Sequence, residues 1–191
     1  MTRYQATINR LEPEAWFEIR GEPSVTDPVL ARLRLPVPAG ANRAAASARQ
    51  VRVLRLGPDR LVVRAPRALE AELITAIEAA CIDLPVAQAV QASDMMVTFA
   101  IEGAGARDVL AQGMPLDLAP EGFPAGSATG TEAWGIGVII ERFATAPDRF
   151  LLSTDRSYAG YLELWLRTAA GEESALQPGV VQAPPPPVKI A

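Results

Sequence analysis

Residues 103–126 of the chain read GAGARDVLAQGMPLDLAPEGFPAG. Apolar residues recur at helical spacing in the first half of this segment, which predicts a short amphipathic helix over 105–112. Gly113 follows the last periodic residue, so we expect it to end the helix in a left-handed C-cap, and Pro115 cannot continue the helix. We interpret this helix and the loop after it as the pivot between two halves of one domain.

The loop between residues 113 and 133 is rich in proline and glycine at its start, and no regular structure is predicted for it. Leu116, Leu118 and Phe123 are apolar residues within the loop. Such anchors favour a stiff, partly buried excursion over a free linker.

Outside the pivot, pairs of predicted strands are followed by helices. Alternating apolar residues predict a hairpin within 50–66, and apolar residues at i, i+4 and i+8 predict a helix over 69–81. Further strands are predicted at 85–93, 95–103, 134–143 and 148–156. The order β-β-α-β-β-α-β-β-α indicates an α+β fold, with antiparallel or mixed sheets and helices on one side.

The last predicted helix contains RSYAGYLELWLRTAA at 156–170. Tyr158, Tyr161, Leu162 and Trp165 recur there at i, i+3, i+4 and i+7. We interpret this stripe as core packed on a sheet and not as a cofactor site, and we expect the Trp165 ring to be buried.

The two ends of the chain hold most of its 17 prolines. Residues 1–45 show no sustained period, so we predict an extended N-terminal arm that lies either along its own domain or on another subunit. Residues 46–170 are predicted to form the α+β domain. Residues 171–191 end in QAPPPPVKIA, and we predict a Pro-rich tail.

Charge is divided unevenly, at +6 over residues 1–67 and −10 over residues 68–191. The arginines of the first part alternate with proline, leucine and valine and do not cluster, so we predict no nucleic-acid partner. The two parts should attract each other or matching partners.

Composition excludes several enzyme chemistries. The chain has no histidine, which removes Ser-His and Cys-His catalysis and the common zinc sites. Cys81 is the single cysteine, so no internal disulfide forms, and we expect a buried thiol on the apolar face of its helix. Lys189 is the only lysine and lies in the predicted tail.

The sequence predicts a cytoplasmic protein with no membrane segment. It contains no run of eighteen apolar residues, and its N-terminus lacks the order of a secretory signal. The segment Gly103-Ala104-Gly105 lacks the third glycine and the acidic residue of a dinucleotide-binding fingerprint. Arg107 and Arg156 lie at helix starts, where the dipole disfavours a cation, so each is expected to have a carboxylate partner.

Four segments resemble the small gamma subunit of heterotetrameric sarcosine oxidase. They are LGPDR at 56–60, GAGARDVLAQGMPLDL at 103–118, FPAG at 123–126 and DRFLLSTDRSYAGYLELWL at 148–166. The resemblance covers about residues 50–167. Similar gamma-like subunits occur in related N-methyl amine oxidoreductases such as N-methylglutamate dehydrogenase.

This resemblance implies a non-catalytic structural subunit of a flavoenzyme that oxidatively demethylates sarcosine to glycine, passing the methyl carbon to tetrahydrofolate or releasing it as formaldehyde. It implies alpha, beta and delta subunits as partners, with FAD, FMN, NAD, tetrahydrofolate and zinc held by them. It assigns no catalytic, cofactor-binding or metal-binding residue to this chain. It also implies a fold like the folate-binding domain of glycine-cleavage aminomethyltransferase.

A folate-dependent enzyme or binding module is the alternative of a different class. A carboxylate near a strand end, such as Asp94 or Glu102, would hold the pterin by charge-assisted hydrogen bonds. The competing interpretation of Asp94 is a turn residue between two strands. The chain also lacks the KGCYxGQ motif of folate-binding iron–sulfur assembly proteins.

Overall fold

The computed structural model describes residues 4–82, 84 and 88–172, which form two five-stranded antiparallel sheets with helices. The strands are β1 Thr7–Arg10, β2 Glu14–Arg20, β3 Arg43–Ala46, β4 Arg52–Arg55, β5 Arg60–Pro66, β6 Gln88–Gln91, β7 Met96–Glu102, β8 Ala128–Ala133, β9 Ile136–Thr145 and β10 Asp148–Asp155. The helices are α1 Pro23–Arg32, α2 Glu70–Cys81, α3 Ala106–Ala111 and α4 Ala159–Ala169, with single 3-10 turns leading into α2 and α4. The predicted α+β class is confirmed.

Each sheet joins strands that are distant in sequence. The first sheet has the order β1-β7-β10-β9-β8, and the second has the order β3-β4-β5-β2-β6. In the first, Leu152 of β10 lies opposite Phe99 of β7 on one side and Ile140 of β9 on the other. In the second, Phe17 of β2 lies opposite Val63 of β5. β10 and β2 are therefore interior strands, paired on both edges.

The two sheets pack face to face, and helices cover the outer face of each. Along β5, Leu61 and Val63 point towards α1 and α2, whereas Val62 points towards the other sheet. The outer face of the first sheet is covered in the same way by α3 and α4. The layers therefore run helix, sheet, sheet, helix. Because both faces of these strands are buried, inward-facing charges must find partners between the sheets.

Several predicted elements are confirmed because their apolar period is strong. The hairpin within 50–66 is β4 and β5, the helix over 69–81 is α2, and the pivot helix over 105–112 is α3. Among the loop anchors, Leu118 and Phe123 are buried and Leu116 packs against the same core. The strand predicted at 85–93 is shorter, since β6 spans Gln88–Gln91 and residues 85–87 lie outside the described part.

The extended conformation predicted for residues 1–45 is wrong. This segment contains β1, β2, α1 and β3, and β2 is an interior strand of the second sheet. The pattern of β2 misled the prediction because its Glu14, Trp16 and Glu18 face the other sheet instead of water. Pro23 occupies the first turn of α1, where its missing N–H is tolerated, so it begins a helix instead of breaking one. Of the two placements left open, the segment packs within its own chain.

The predicted left-handed cap at Gly113 is also wrong. Gly113 is absent from the positive-φ glycines, which are Gly21, Gly103, Gly126, Gly135 and Gly171 among the described residues. A Cβ at Gly113 would lie 2.1 Å from Cε2 of Trp134, so glycine is required there by the close approach of an indole ring. The predicted loop also ends earlier than expected, because β8 occupies Ala128–Ala133 and pairs with β9.

Of the stripe predicted to be core in the last helix, Leu162 is buried as expected, but the prediction for its three aromatic residues is wrong. The core side of α4 carries Ala159, Leu162, Leu166 and Ala169. Tyr158, Tyr161 and Trp165 are 48%, 42% and 36% exposed. Small and aliphatic side chains fill the space against the sheet, while the amphipathic rings lie on the outer side of the helix.

The predicted C-terminal tail falls almost wholly outside the described residues, which end at Glu172. Within the described ranges no helix is long and apolar enough to cross a membrane.

Candidate functional site

Charged side chains from both sheets meet in the buried layer between them. Arg52 of β4 forms an ion pair with Glu141 of β9, in which Nε lies 3.0 Å from Oε2 and Nη2 contacts Oε1. Arg64 of β5 approaches the same carboxylate, with 3.5 Å between Nη1 and Oε2. Glu141 is completely buried and Arg64 is 1% exposed. One carboxylate of the first sheet is thus shared by two guanidiniums of the second.

Arg64 extends this cluster along the interface. Its Nη2 donates to Glu14, and its guanidinium lies 5.1 Å from the centre of the Trp16 ring. Thr98 Oγ1 lies 3.3 Å from the same Glu14 carboxylate and 2.9 Å from Ser153 Oγ. We call the group of Glu14, Arg52, Arg64, Thr98, Glu141 and Ser153 the inter-sheet network. It ties β2, β4 and β5 to β7, β9 and β10 and fixes how the two sheets sit on each other.

Arg52 has an altered acid–base equilibrium in this layer. Burial and the neighbouring Arg64 guanidinium lower the pKa of Arg52 to about 10. Because that value is still well above neutral pH, Arg52 remains a cation in the folded protein. Its pairing with Glu141 is therefore an interaction between two charges.

A second group of charges, in which Arg142 and Asp148 are buried, holds the Pro/Gly-rich loop. Arg142 of β9 donates from Nη1 to the carbonyl oxygens of Phe123, at 2.8 Å, and of Leu118, at 3.4 Å. Its Nη2 contacts Asp148, and Arg107 at the start of α3 reaches the same carboxylate at 2.8 Å. We call Arg107, Arg142 and Asp148 the loop anchor. The carboxylate partner predicted for Arg107 is thereby confirmed.

Arg156 differs from Arg107. No carboxylate lies within ion-pair distance of it in the part of the chain that the structure describes, so the partner expected for it is not found. Its backbone N–H donates to the carbonyl of Met95 at 2.7 Å. The side chain lines a small pocket of about 290 Å³ with Arg10 and Trp16.

A groove opens beside the inter-sheet network. It has a volume of about 970 Å³, and Phe143 on β9 forms part of its wall. The Phe143 ring contacts two guanidiniums, and its centre lies 4.5 Å from that of Arg52 and 4.8 Å from that of Arg149. Arg149 is in turn paired with Glu102 at 2.8 Å.

The two carboxylates offered as alternatives for holding a pterin are each paired with an arginine of the same chain. Asp94 lies in the turn before β7, is 75% exposed and pairs with Arg67 at 3.0 Å. Glu102 ends β7 and pairs with Arg149 at 2.8 Å.

The Gly103-Ala104-Gly105 segment contacts the chain's own N-terminal residues. The Gly105 N–H donates to the carbonyl of Gln5 at 2.9 Å. A Cβ at Gly103, where φ is +121°, would lie 2.4 Å from that same oxygen. The glycines therefore permit close packing of the residues that precede β1 against the start of α3.

Cys81 is half-buried at the end of α2 instead of fully buried as predicted. Burial raises the pKa of its thiol, with Arg32 opposing the shift. Arg32 also donates to the carbonyl of Ala80 at 2.7 Å and so satisfies the C-terminus of α2. Among residues 4–82, 84 and 88–172, no group of three or more potential metal ligands occurs.

Glu18 at the open end of the interface carries two arginine partners. Arg60 lies 2.9 Å and Arg20 2.5 Å from its carboxylate oxygens. Burial by itself raises the pKa of Glu18, but the two guanidiniums outweigh it and hold the pKa below the ordinary value.

An aromatic surface on α4 was not anticipated from the sequence. We call Tyr158, Tyr161 and Trp165 the α4 aromatic face. Tyr161 and Trp165 meet edge to face with ring centres 6.2 Å apart, and the Tyr161 hydroxyl donates to the carbonyl of Trp134 at 2.9 Å. The inter-sheet network was also missed. Its signal in the sequence was the placement of Arg52, Arg64 and Glu141 within otherwise apolar strands.

The sequence matches the model of the family described as sarcosine oxidase, gamma subunit family, over residues 21–172. The chain belongs to this family. The match begins within the segment that the sequence analysis treated as an arm, in agreement with the strands and helix found there. No curated protein sequence matches the chain.

Two solved structures share the fold. A chain of heterotetrameric sarcosine oxidase from Corynebacterium sp. U-96, in complex with pyrrole 2-carboxylate, superposes with a TM-score of 0.80 and 23% identity, over 94% of this chain and 90% of that one. The glycine cleavage system aminomethyltransferase T from Bartonella henselae superposes with a TM-score of 0.66 and 16% identity, over 92% of this chain and 48% of that one. The predicted likeness to the aminomethyltransferase fold is confirmed.

Proposed function

We propose that this chain is the non-catalytic gamma subunit of a heterotetrameric flavoenzyme of the sarcosine oxidase type, with a structural role in assembly. The family match over residues 21–172 carries this proposal. The likeness to a chain of heterotetrameric sarcosine oxidase, over nearly the full length of both chains, supports it.

The internal chemistry of the chain is in keeping with a structural role. The inter-sheet network pairs its charges with each other across two sheets, and the loop anchor does the same for the pivot. Such clusters make the relative position of sheets and loops well defined, because each buried charge keeps its partner only in one arrangement. A subunit that shapes an assembly requires this kind of rigidity.

The proposed partners are alpha, beta and delta subunits. In this proposal they hold FAD, FMN, NAD, tetrahydrofolate and zinc, and they carry the oxidative demethylation of sarcosine to glycine. The chain described here contributes surface to them and binds no cofactor of its own. The assembly is proposed to lie in the cytoplasm.

Affinity purification of the tagged chain from its native cell tests the proposal. The expected result is co-purification of three further subunits, with a flavin absorbance band that follows them through gel filtration. The tag alone, expressed in the same cells, is the control. Recovery of the chain without other subunits and without flavin would contradict the proposal. Assays with sarcosine and N-methylglutamate on the recovered complex distinguish an oxidase from the related N-methylglutamate dehydrogenase.

The stand-alone tetrahydrofolate-binding alternative has its own experiment. Titration calorimetry with tetrahydrofolate would support it if heat is released and Asp94→Ala abolishes that heat. Glu121→Ala, at an exposed loop position, is the matched control. We expect no heat at millimolar ligand, because Asp94 is exposed and paired with Arg67.

A further inference from the structure

Arg156 lacks the acidic partner that its position calls for. It begins the 3-10 turn that leads into α4, and its guanidinium makes no ion pair and no side-chain hydrogen bond with any residue of the described ranges. The start of a helix disfavours a cation, so an anion beside Arg156 would be stabilising. The described residues supply no such anion.

A second arginine in the same situation lines the same pocket. Arg10 ends β1, and within the part of the chain that the structure describes no carboxylate lies within ion-pair distance of it. β1 and β10 pair with opposite edges of β7, with Arg10 opposite Phe99 and Asp155, the residue before Arg156, opposite Met96. The spacing between strands and the rise along them place the two arginine Cα atoms about 16 Å apart. The two arginines therefore approach the pocket from opposite sides of β7.

The third unpaired charge of this pocket is a carboxylate. Glu12 lies in the link between β1 and β2 and is exposed, and among the described residues no arginine lies within ion-pair distance of it. Glu14 also lines the pocket, but its charge is already matched by Arg64. Two unpaired cations and one unpaired anion therefore surround the pocket, which leaves a net charge of +1 to be matched.

The pocket is small and has an apolar wall. Its volume is about 290 Å³, and Leu11, Trp16 and Met96 form its apolar lining. Trp16 is only 2% exposed, and its ring is held by the Arg64 guanidinium at 5.1 Å. Clefts for drug-sized ligands measure about 300–1,000 Å³, so this pocket suits a molecule of a few carbon atoms with charged groups at its ends.

We propose that this pocket binds a free acidic amino acid, L-glutamate or L-aspartate. The ligand has two carboxylates and one ammonium, which complement the two guanidiniums of Arg10 and Arg156 and the carboxylate of Glu12. Its net charge of −1 matches the +1 of the pocket, and its methylene groups would lie against Trp16. The bound ligand would join the end of β1 to the start of α4. This site goes beyond the proposed structural role and does not depend on it.

Titration calorimetry on the full-length chain tests the proposal with four probes. L-glutamate and L-aspartate are the two candidates. L-glutamine lacks the second carboxylate of L-glutamate, and glutarate lacks its ammonium. We expect one of the acidic amino acids to bind about fivefold more tightly than its neutral or ammonium-free analogue, which is the upper end for loss of one partly exposed ion pair. Added salt should weaken this binding.

Substitutions at the three charges make the test specific to this pocket. Arg10→Gln and Arg156→Gln should each weaken the binding of L-glutamate about fivefold. Glu12→Gln should weaken the binding of L-glutamate but strengthen that of glutarate, because glutarate then no longer meets a like charge. Arg34→Gln and Glu78→Gln are the matched controls, since both residues are exposed, lie outside the pocket and undergo the same changes of charge.

Three results would overturn the proposal. The first is the absence of heat with both acidic amino acids at millimolar concentration. The second is an affinity for L-glutamate that stays the same in all three pocket variants, with circular dichroism unchanged. The third is equal affinity of the native chain for L-glutamate and glutarate, which would show an adventitious anion only.

Discussion

Removing the shared carboxylate of the inter-sheet network should be strongly destabilising. Glu141→Gln keeps the shape of the side chain but leaves the Arg52 cation without its anion at a position where only 16% of the Arg52 side chain is exposed. Arg64 keeps Glu14, so the loss falls mainly on Arg52. Loss of one partner of a buried ion pair costs about 3–5 kcal/mol, because the remaining charge is desolvated without compensation. With an m-value of about 2 kcal/mol/M, the urea midpoint should fall by about 1.5–2.5 M.

Equilibrium urea unfolding at pH 7, followed by both tryptophan fluorescence and circular dichroism, measures this effect. Glu72→Gln is the matched control, because Glu72 forms a two-point pair with Arg49 on the open surface and should change the midpoint little. The double variant Arg52→Met with Glu141→Leu should recover much of the loss, since both charges are removed together. Equal midpoints for Glu141→Gln and Glu72→Gln would refute the account of the buried network.

Three further perturbations have expected outcomes. Gly113→Ala should lower the free energy of unfolding by about 1–3 kcal/mol, because its Cβ would overlap the Trp134 ring. Gly160→Ala, in open space within α4, should raise the free energy of unfolding by about 0.5–1 kcal/mol. Thermal melts of the two variants measure both effects. Trp165→Ala should cost about 1–2 kcal/mol instead of the 3–5 kcal/mol of a fully buried ring, and a loss above 4 kcal/mol in urea would show that the ring is core. Glu18 has a lowered pKa in the folded state, so its stabilisation is present above the unfolded pKa near 4.5 and is lost as pH falls through the folded value. Glu18→Gln should therefore be less stable than the native chain at pH 7, and this deficit should shrink as the pH is lowered below 4.5; a deficit that stays constant throughout an acid titration would contradict this.

Elements with one clear period could be predicted from the sequence. The hairpin of β4 and β5 could be predicted because its apolar strands flank the turn residues Gly57 and Pro58, although both faces of β5 are buried. The helix α2 buries one regular apolar set, Leu73 and Ile77 among them. The existence of α4 followed from the same reasoning, but its orientation did not. Tyrosine and tryptophan count as apolar in a periodic pattern, although their rings tolerate water. The aromatic stripe was therefore taken as the buried face of α4, which in fact is formed by aliphatic residues such as Leu162 and Leu166.

β2 could not be predicted because it is buried on both faces, and its face towards the other sheet carries charges. Phe17 of β2 packs towards the helices, whereas Glu14 and Trp16 face the opposite sheet. The polar residues of β2 therefore face a second sheet instead of water, which the pattern of a single strand does not show. The partners of these charges lie far away in sequence, as with Arg52 and Glu141, which are 89 residues apart. Only the packing of one sheet on the other brings them within reach.

The most direct test of the structural role is to assemble the complex with and without this chain. Alpha, beta and delta subunits would be expressed together, once with the native chain and once alone, and the products compared by native mass spectrometry and sarcosine turnover. We predict that the four-subunit complex forms and turns over only when the chain is present, and that the purified single chain shows no turnover. A stable, fully active assembly of the other three subunits, or turnover by the single chain, would contradict the central claim.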